Sequence, residues 1–179
     1  LGFFLHRGKK TVLWTGSDIL SYVDTNPFIR GGTHFVENKV EQRVLQQKGI
    51  KSIVQPQFFG DLTKFKTTYE HSYTPTVFLC AHQGREEEYG VNIVLNIAPQ
   101  LPQIMFVIYG VEGKGLPNVS FRGKVSEEQF DSEIGQYQAC LRLNLFDGFG
   151  ECLAKSLLLG QYPLSVIKYQ FITTVRSDR

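Results

Sequence analysis

Residues 141–155 read LRLNLFDGFGECLAK, which indicates an apolar strand, a tight loop and a helix in that order. The glycines Gly148 and Gly150 let the backbone come close to a ligand. The first amides of a helix that begins after them have no partner within the helix, and they lie at the positive end of its dipole. This geometry is typical of a phosphate site. An ordinary strand-to-helix turn with glycines for clearance fits the same spacing.

The chain around this stretch alternates strands with helices. Apolar runs predict buried strands at 76–81, 103–109, 119–122, 139–145 and 164–167. Helices are predicted between them at 86–97, 126–136 and 150–159. Such alternation predicts an α/β fold with a Rossmann-like parallel sheet and helices on both faces. Ligands of these sheets bind beyond the carboxyl ends of the strands, so the loops at 82–88, 110–115, 122–124 and 147–150 are candidates.

The first 57 residues predict a smaller α/β unit. Strands are expected at 10–14, 33–37 and 50–55, with a helix from residue 17 to 23. Asn38 followed by Glu41 is a capping box, which predicts a second helix up to residue 48. Residues 57–74 are polar and irregular, which indicates a boundary. We therefore expect the remnant of one domain at 1–57, a linker at 58–74 and a second domain at 75–179.

The composition is that of an ordinary globular protein. Of 179 residues, 42% are hydrophobic and 20% are charged, enough for one domain and part of another. A net charge of +2 is too small to indicate a nucleic-acid partner, and no apolar run is long enough to predict a transmembrane segment. Cys80, Cys140 and Cys152 show no metal spacing and predict free thiols in a reducing compartment. We expect a cytoplasmic location, with attachment at the membrane periphery left open.

The motifs of the second half resemble a known family. Residues 118–126 read NVSFRGKVS, and DGFG at 147–150 precedes a helix, Gly160 and Pro163. This order resembles the donor half of retaining glycosyltransferases with the GT-B fold, over residues 76–167. Residues 33–55 look like the closing unit of the other half, and WTGSD at 14–18 is similar to an acceptor-side loop. Because the chain starts at Leu1 and has no obvious closing element, we expect a fragment of such an enzyme.

The chain departs from the family pattern in specific places. Family members usually carry two acids, eight positions apart, but here the first is Asp147 and the second is replaced by Lys155. An ammonium has no acceptor for ribose hydroxyls. Glu151 either supplies that carboxylate or forms a simple i,i+4 pair with Lys155. The Arg and Lys that clasp the diphosphate in the family are not in place, and Arg85 is the candidate replacement. Arg142, five residues before the acidic turn, matches a sub-pattern of the family.

The resemblance implies a donor site that needs neither a metal nor a further cofactor. Its catalytic candidates are Asp147, which would orient the transferred sugar, and Arg85, which would stabilise charge on the leaving diphosphate. The residues expected to bind the donor are His82, Gly84, Arg122, Gly148, Phe149, Gly150, Glu151 and Lys155. For His82, Arg85 and Arg122 a plain surface position is also open. If the ribose role applies at position 155, Lys155→Glu should tighten donor binding.

The function implied is transfer of a sugar from a nucleotide diphosphate sugar, with retention and without a metal. The acceptor is a glycan, a lipid-linked sugar or a protein, and the sequence does not choose among them. The alternative is a non-catalytic binding module of the same descent that has lost the diphosphate clasp, which the lysine at position 155 favours. A sugar epimerase on the same two-domain scaffold is a third hypothesis.

Overall fold

The first part of the chain forms a small parallel sheet. The computed structural model describes residues 6–25, 29 and 31–175. Three strands pair in the order β1-β2-β3, with β1 at Thr11–Leu13, β2 at Thr33–Val36 and β3 at Ser52–Val54. Helix α1 at Asp18–Tyr22 lies between β1 and β2, and helix α2 at Lys39–Gln47 lies between β2 and β3. The alternation of strands and helices predicted for this part is confirmed.

The second part forms a larger sheet whose six strands are all parallel. Their order is β6-β5-β4-β7-β8-β9. The strands are β4 at Thr76–Cys80, β5 at Met105–Tyr109, β6 at Val119–Gly123, β7 at Ala139–Arg142, β8 at Tyr162–Ser165 and β9 at Thr173–Thr174. The helices are α3 at Val91–Ile97, α4 at Glu127–Ile134 and α5 at Glu151–Leu158. The Rossmann-like parallel sheet predicted from the sequence is confirmed.

Both faces of the larger sheet are covered. Neighbouring residues of one strand point to opposite faces, and Phe78 and Leu79 of β4 are both buried, each in a different apolar cluster. Val107 and Ile108 of β5 divide in the same way. Two buried faces explain why these strands read as continuous apolar runs. A third cluster, built around residues such as Trp14, forms the core of the smaller sheet.

Several predicted boundaries differ from the structure, for example the strand predicted at 164–167, which lies at Tyr162–Ser165. Two of the other differences have a clear physical reason. The helix predicted at 86–97 begins only at Val91, because Gly90 has a φ of 78° and an α-helix cannot continue through that conformation. A Cβ at Gly90 would lie 2.6 Å from Cβ of Leu143, so glycine also permits this close approach. The strand predicted at 139–145 ends at Arg142, because its pairing with β4 ends at Leu141 and its pairing with β8 ends at Arg142.

The segment between the sheets has little regular structure. Its one short element among the described residues is a 3-10 turn at Leu62–Lys64. Thr68 attaches the segment to the larger unit, since its amide donates to the Leu159 carbonyl at 3.1 Å and its hydroxyl to the Gly135 carbonyl at 2.6 Å. The division into domains at 57 and 74 stays a prediction. Within the described ranges, none of the helices combines the length and apolar character needed to cross a bilayer.

Candidate functional site

The glycine-containing turn lies at the carboxyl edge of the larger sheet, between β7 and α5. Gly150 is the N-cap of α5, and its carbonyl accepts the amides of Leu153 and Ala154. Among the described residues, the amides of Gly150, Glu151 and Cys152 have no hydrogen-bond acceptor. Three open amides at the positive end of a helix dipole suit an anionic ligand.

The amide of Phe149 has a partner that the sequence did not reveal. It donates to Oε2 of Glu37 at 2.8 Å, and Oε1 of Glu37 accepts the Gln57 amide at 3.3 Å. Burial raises the pKa of the Glu37 carboxyl, and the negative charge of Asp147 adds to the rise. The Glu37 carboxylate therefore occupies the position beside the Phe149 amide where the sequence predicted a phosphate. The amides without an acceptor begin at the next residue, Gly150. A signal existed, because Glu37 directly follows a strand at its carboxyl end.

Asn38 joins the same turn from the smaller unit. Its Nδ2 donates to the Asp147 carbonyl at 2.6 Å, while its Oδ1 accepts the amides of Val40 and Glu41 at 2.8 and 3.1 Å. Oε2 of Glu41 accepts the Asn38 amide at 3.3 Å, so the predicted capping box is confirmed. One asparagine thus starts helix α2 and holds the turn of the other unit.

Gly148 is fixed by close neighbours on both sides. A Cβ there would lie 2.0 Å from Oε2 of Glu37 and 3.0 Å from the Thr15 carbonyl carbon, so a larger residue would displace the Glu37 carboxylate and press against the Thr15 backbone. The Tyr169 hydroxyl of the larger unit donates to the Gly148 carbonyl. The turn is therefore held by groups from both sheets.

Asp147 is an ion-paired carboxylate at the base of the turn. Arg142 at the end of β7 reaches its Oδ2 with Nη2 at 2.5 Å and Nε at 2.6 Å. Burial raises the pKa of Asp147, and the guanidinium of Arg142 opposes that rise. The same guanidinium lies over the Tyr89 ring, 4.9 Å from its centroid. Arg142 is not among the site residues predicted from the sequence, although its spacing from Asp147 is visible there.

Lys155 is buried and surrounded by carboxylates. Its Nζ lies 2.7 Å from Asp131, 2.9 Å from Glu151 and 3.3 Å from Glu127. Burial alone would lower the pKa of this ammonium, but the hydrogen bonds to Asp131 and Glu151 outweigh burial and raise the pKa. The simple Glu151–Lys155 pair is confirmed. Because an ammonium has three donors and three carboxylates surround this one, the side chain has a structural role.

The remaining predicted residues lie at the surface. His82 is exposed and packs edge-on against Tyr89, with ring centroids 5.2 Å apart. The Gly84 amide donates to Glu86 Oε1 at 2.8 Å. Arg85 pairs with Glu88, and Arg122 pairs with Glu133. The surface positions that the sequence left open for Arg85 and Arg122 are therefore observed, and a donor-binding role for either arginine stays a prediction.

Two clefts meet at the turn. The inter-unit cleft, of about 440 Å³, is lined by Thr15, Glu37, Gln57, Phe58, Phe59, Gly60, Glu127 and residues 147–151. The sheet-edge cleft, of about 500 Å³, is lined by residues 80–82, Tyr109, Gly110, residues 123–127, Phe130, Arg142, Glu151, Cys152 and Lys155. Glu127 and Glu151 line both clefts. A ligand that spans the two would pass the open amides of α5.

These features define the GT-B class of fold, in which one Rossmann-like unit follows another across a cleft. Among solved structures, the chain is similar to the pneumococcal O-GlcNAc transferase GtfA, crystallised with UDP and GlcNAc, with a TM-score of 0.60 and 16% identity. It is also similar to TarM, with a TM-score of 0.68 and 12% identity. The sucrose-phosphate synthase of Thermosynechococcus elongatus gives a TM-score of 0.68 at 11% identity.

The extent of these matches is uneven. They cover 95%, 97% and 98% of this chain but 42%, 42% and 56% of the respective structures, so the chain spans about half the length of its structural neighbours or less. A comparison with family models and with curated proteins gives no match. At such low identities the likeness shows a shared fold, and the GT-B fold predicted from the sequence is confirmed.

Proposed function

We propose that the chain binds a nucleotide diphosphate sugar and belongs to a glycosyltransferase. One observation carries this proposal: the open amides of Gly150, Glu151 and Cys152 lie at the carboxyl edge of a parallel sheet, where two clefts meet. A helix N-terminus at such an edge is suited to a diphosphate. The neighbour GtfA was crystallised with UDP and GlcNAc, which supports a donor of the same class.

The proposed transfer proceeds with retention and without a metal, and its chemistry is electrostatic. The helix amides and the Arg142 guanidinium, which lines the sheet-edge cleft, would stabilise the charge that develops on the leaving diphosphate. Asp147 faces the inter-unit cleft and would orient the transferred sugar through its hydroxyls. Arg142 thereby takes the part that the sequence gave to Arg85, because Arg142 lines the sheet-edge cleft and Arg85 does not. The free thiols Cys80, Cys140 and Cys152 accord with the cytoplasmic location proposed for the protein.

A non-catalytic binding module is the second candidate. It is favoured by the ion pairs that engage Arg85 and Lys155, because these pairs reduce the positive charge available to a diphosphate. It is also favoured by Glu37, whose carboxylate already accepts the Phe149 amide. In such a module a nucleotide would bind without turnover.

Nucleotide titration followed by amide NMR tests the proposal. UDP, ADP and GDP would be compared with uridine, each with EDTA present. We expect one diphosphate to bind and to shift the amide resonances of Gly150, Glu151 and Cys152, because those amides have no acceptor among the described residues. Uridine should leave these resonances unchanged, since it carries no phosphate.

The protein would then be incubated with sugar conjugates of the nucleotide that binds, which distinguishes the glycosyltransferase from the non-catalytic binding module. Release of the nucleotide with transfer to a saccharide or to water supports the enzyme, and binding without release supports the module. If no diphosphate shifts the three amides, both candidates are wrong.

A further inference from the structure

The two clefts differ sharply in charge. The sheet-edge cleft is lined by His82, Lys124, Arg142 and Lys155 in addition to its carboxylates. Among the described residues, the lining of the inter-unit cleft contains no lysine, arginine or histidine. Its charged residues are Glu37, Glu127, Asp147 and Glu151. Cations are therefore confined to one side of the turn.

The negative charge of the four carboxylates in the inter-unit cleft is only partly neutralised by cations outside the lining of that cleft. Arg142 pairs with Asp147, and Lys155 is shared between Glu127 and Glu151. Glu37 accepts backbone amides, and no ion pair is found for it within the described ranges. Two cations thus pair with three of the four carboxylates, and both cations are also part of the lining of the other cleft.

The size of the inter-unit cleft keeps any ligand close to these charges. A volume of about 440 Å³ corresponds to a space roughly one Debye length across, which is about 8 Å at physiological ionic strength. Salt therefore screens the interaction of a bound phosphate with these carboxylates only in part. Away from the open amides of Gly150 and Glu151, where the two clefts meet, repulsion of an anionic ligand is the expected result.

The same lining suits uncharged sugars. Carboxylate oxygens accept hydrogen bonds from hydroxyl groups without needing a donor in return. Phe58, Phe59 and Phe149 add apolar ring surface on which the C–H face of a pyranose can pack. Apolar walls with a few polar groups are the usual composition of a small-molecule site.

We propose that the inter-unit cleft selects acceptors by charge: it takes a neutral or cationic polyhydroxylated acceptor, such as an uncharged glycan, and rejects phosphorylated or otherwise anionic ones. This inference rests on the proposed function for the identity of the site as an acceptor cleft. The anionic part of the reaction, the nucleotide diphosphate, is then confined to the sheet-edge cleft and the open amides of α5.

The test compares ligands of one shape and different charge. The full chain would be titrated with glucose, glucosamine and glucose 6-phosphate, with and without UDP, while the amide resonances of Thr15, Gly148 and Phe149 are followed by NMR. We expect glucose and glucosamine to shift these resonances. Glucose 6-phosphate should bind at least tenfold more weakly than glucose, and the difference should shrink at high salt, since a steric cause would not respond to salt.

A matched pair of variants assigns the effect to the cleft. Glu127→Gln removes one carboxylate from the lining and should reduce the discrimination against glucose 6-phosphate by about threefold. Glu128→Gln makes the same charge change one residue away on α4, outside both linings, and should leave the discrimination unchanged.

Two results would overturn the inference: glucose 6-phosphate binding as tightly as glucose, or no shift of the three resonances with any of the sugars. A discrimination that Glu127→Gln leaves intact would also count against it. Failure of the proposed function looks different, because then none of UDP, ADP and GDP shifts the amides of α5, while the sugar titration without nucleotide still measures the charge selectivity of the inter-unit cleft.

Discussion

Lys155 shows how one residue changes the interpretation of a motif. The sequence made it the replacement for a ribose-binding acid, and the i,i+4 spacing from Glu151 was enough to predict their pair, which is confirmed. The contacts with Glu127 and Asp131 were not predictable, because they depend on how α4 packs against α5. The complete set of contacts makes Lys155 the centre of an acidic cluster.

The substitution Lys155→Glu should therefore destabilise the protein rather than tighten donor binding. It removes the ammonium and adds a fourth carboxylate to Glu127, Asp131 and Glu151. Loss of one partner from a buried pair costs roughly 3–5 kcal/mol. Because Glu127 and Glu151 are largely exposed, we expect about 2–3 kcal/mol in the free energy of unfolding, measured in urea.

Lys168→Glu is the control, since it makes the same charge change at an exposed position and should cost little. Lys155→Met should fall between the two, because it removes the cation without adding an anion. A Lys155→Glu protein that is as stable as the parent and binds UDP more tightly would restore the ribose role at position 155.

At the level of elements, the start of α2 and the turn before α5 depend on one another. Asn38 caps α2 with its Oδ1 and holds the Asp147 carbonyl with its Nδ2. The capping box was visible in the sequence because its members lie three residues apart. The bond to Asp147 spans 109 residues and becomes apparent only when the two sheets are in place.

Substitutions at Asn38 can separate these two roles. Asn38→Ala removes both the cap and the bond to Asp147, and we expect a loss of about 2 kcal/mol in the free energy of unfolding. Asn38→Ser keeps a capping oxygen but is too short to reach the Asp147 carbonyl, so it should lose about 1 kcal/mol. Chemical denaturation measures both values.

The NMR resonances of Gly148 and Phe149 report the second role directly. They should move to the same extent in the Ser and Ala variants, since both lack the bond to Asp147. If Asn38→Ser matches the parent in stability and in these resonances, the bond contributes nothing to the turn.

The local sequence pattern was enough to predict the helices and strands. The contacts within the site could not be predicted as well, because they join residues that are far apart in the sequence. The apolar runs predicted the strands of the larger sheet because both of its faces are buried, as Phe78 and Leu79 show. The anionic character of the turn was harder to foresee, because the Phe149 amide meets Glu37 across 112 residues. The sequence showed Arg142 at a spacing of five residues before Asp147. Its ion pair with Asp147 and its packing over the Tyr89 ring depend on the tertiary structure and could not be predicted.

At the scale of the whole molecule, the two units meet through buried carboxyl groups. Glu37 of the smaller unit interacts with Asp147 of the larger unit and with Glu41, and burial raises the pKa of all three carboxyl groups. For Glu41 the rise is to about 8, with the charge of Glu37 adding to the effect of burial. One of its carboxyl oxygens, Oε1, is buried and has no hydrogen-bond partner within the described residues. The junction therefore favours the protonated form of this group.

The stability of the protein should consequently fall as the pH rises from 5.5 to 9. A carboxyl whose pKa is raised by folding binds its proton more tightly in the folded state, so its contribution is complete below the unfolded value and is lost as the pH passes the folded value. For Glu41 that window runs from the ordinary glutamate pKa of 4.5 to about 8. One pKa unit corresponds to about 1.4 kcal/mol, and with allowance for coupling to Glu37 we expect a loss of about 2 kcal/mol.

Two variants identify the group responsible. Glu41→Gln cannot ionise but keeps an oxygen for the amides of Glu37 and Asn38, so urea denaturation from pH 5.5 to 9 should show a much flatter dependence of stability on pH. Glu133 has a pKa lowered to about 2, chiefly by its hydrogen bond from Arg122. Glu133→Gln should therefore lower stability evenly across this range and leave the slope unchanged. If the parent and Glu41→Gln proteins have the same slope, the carboxyl of Glu41 is not the group that couples pH to the junction of the two units.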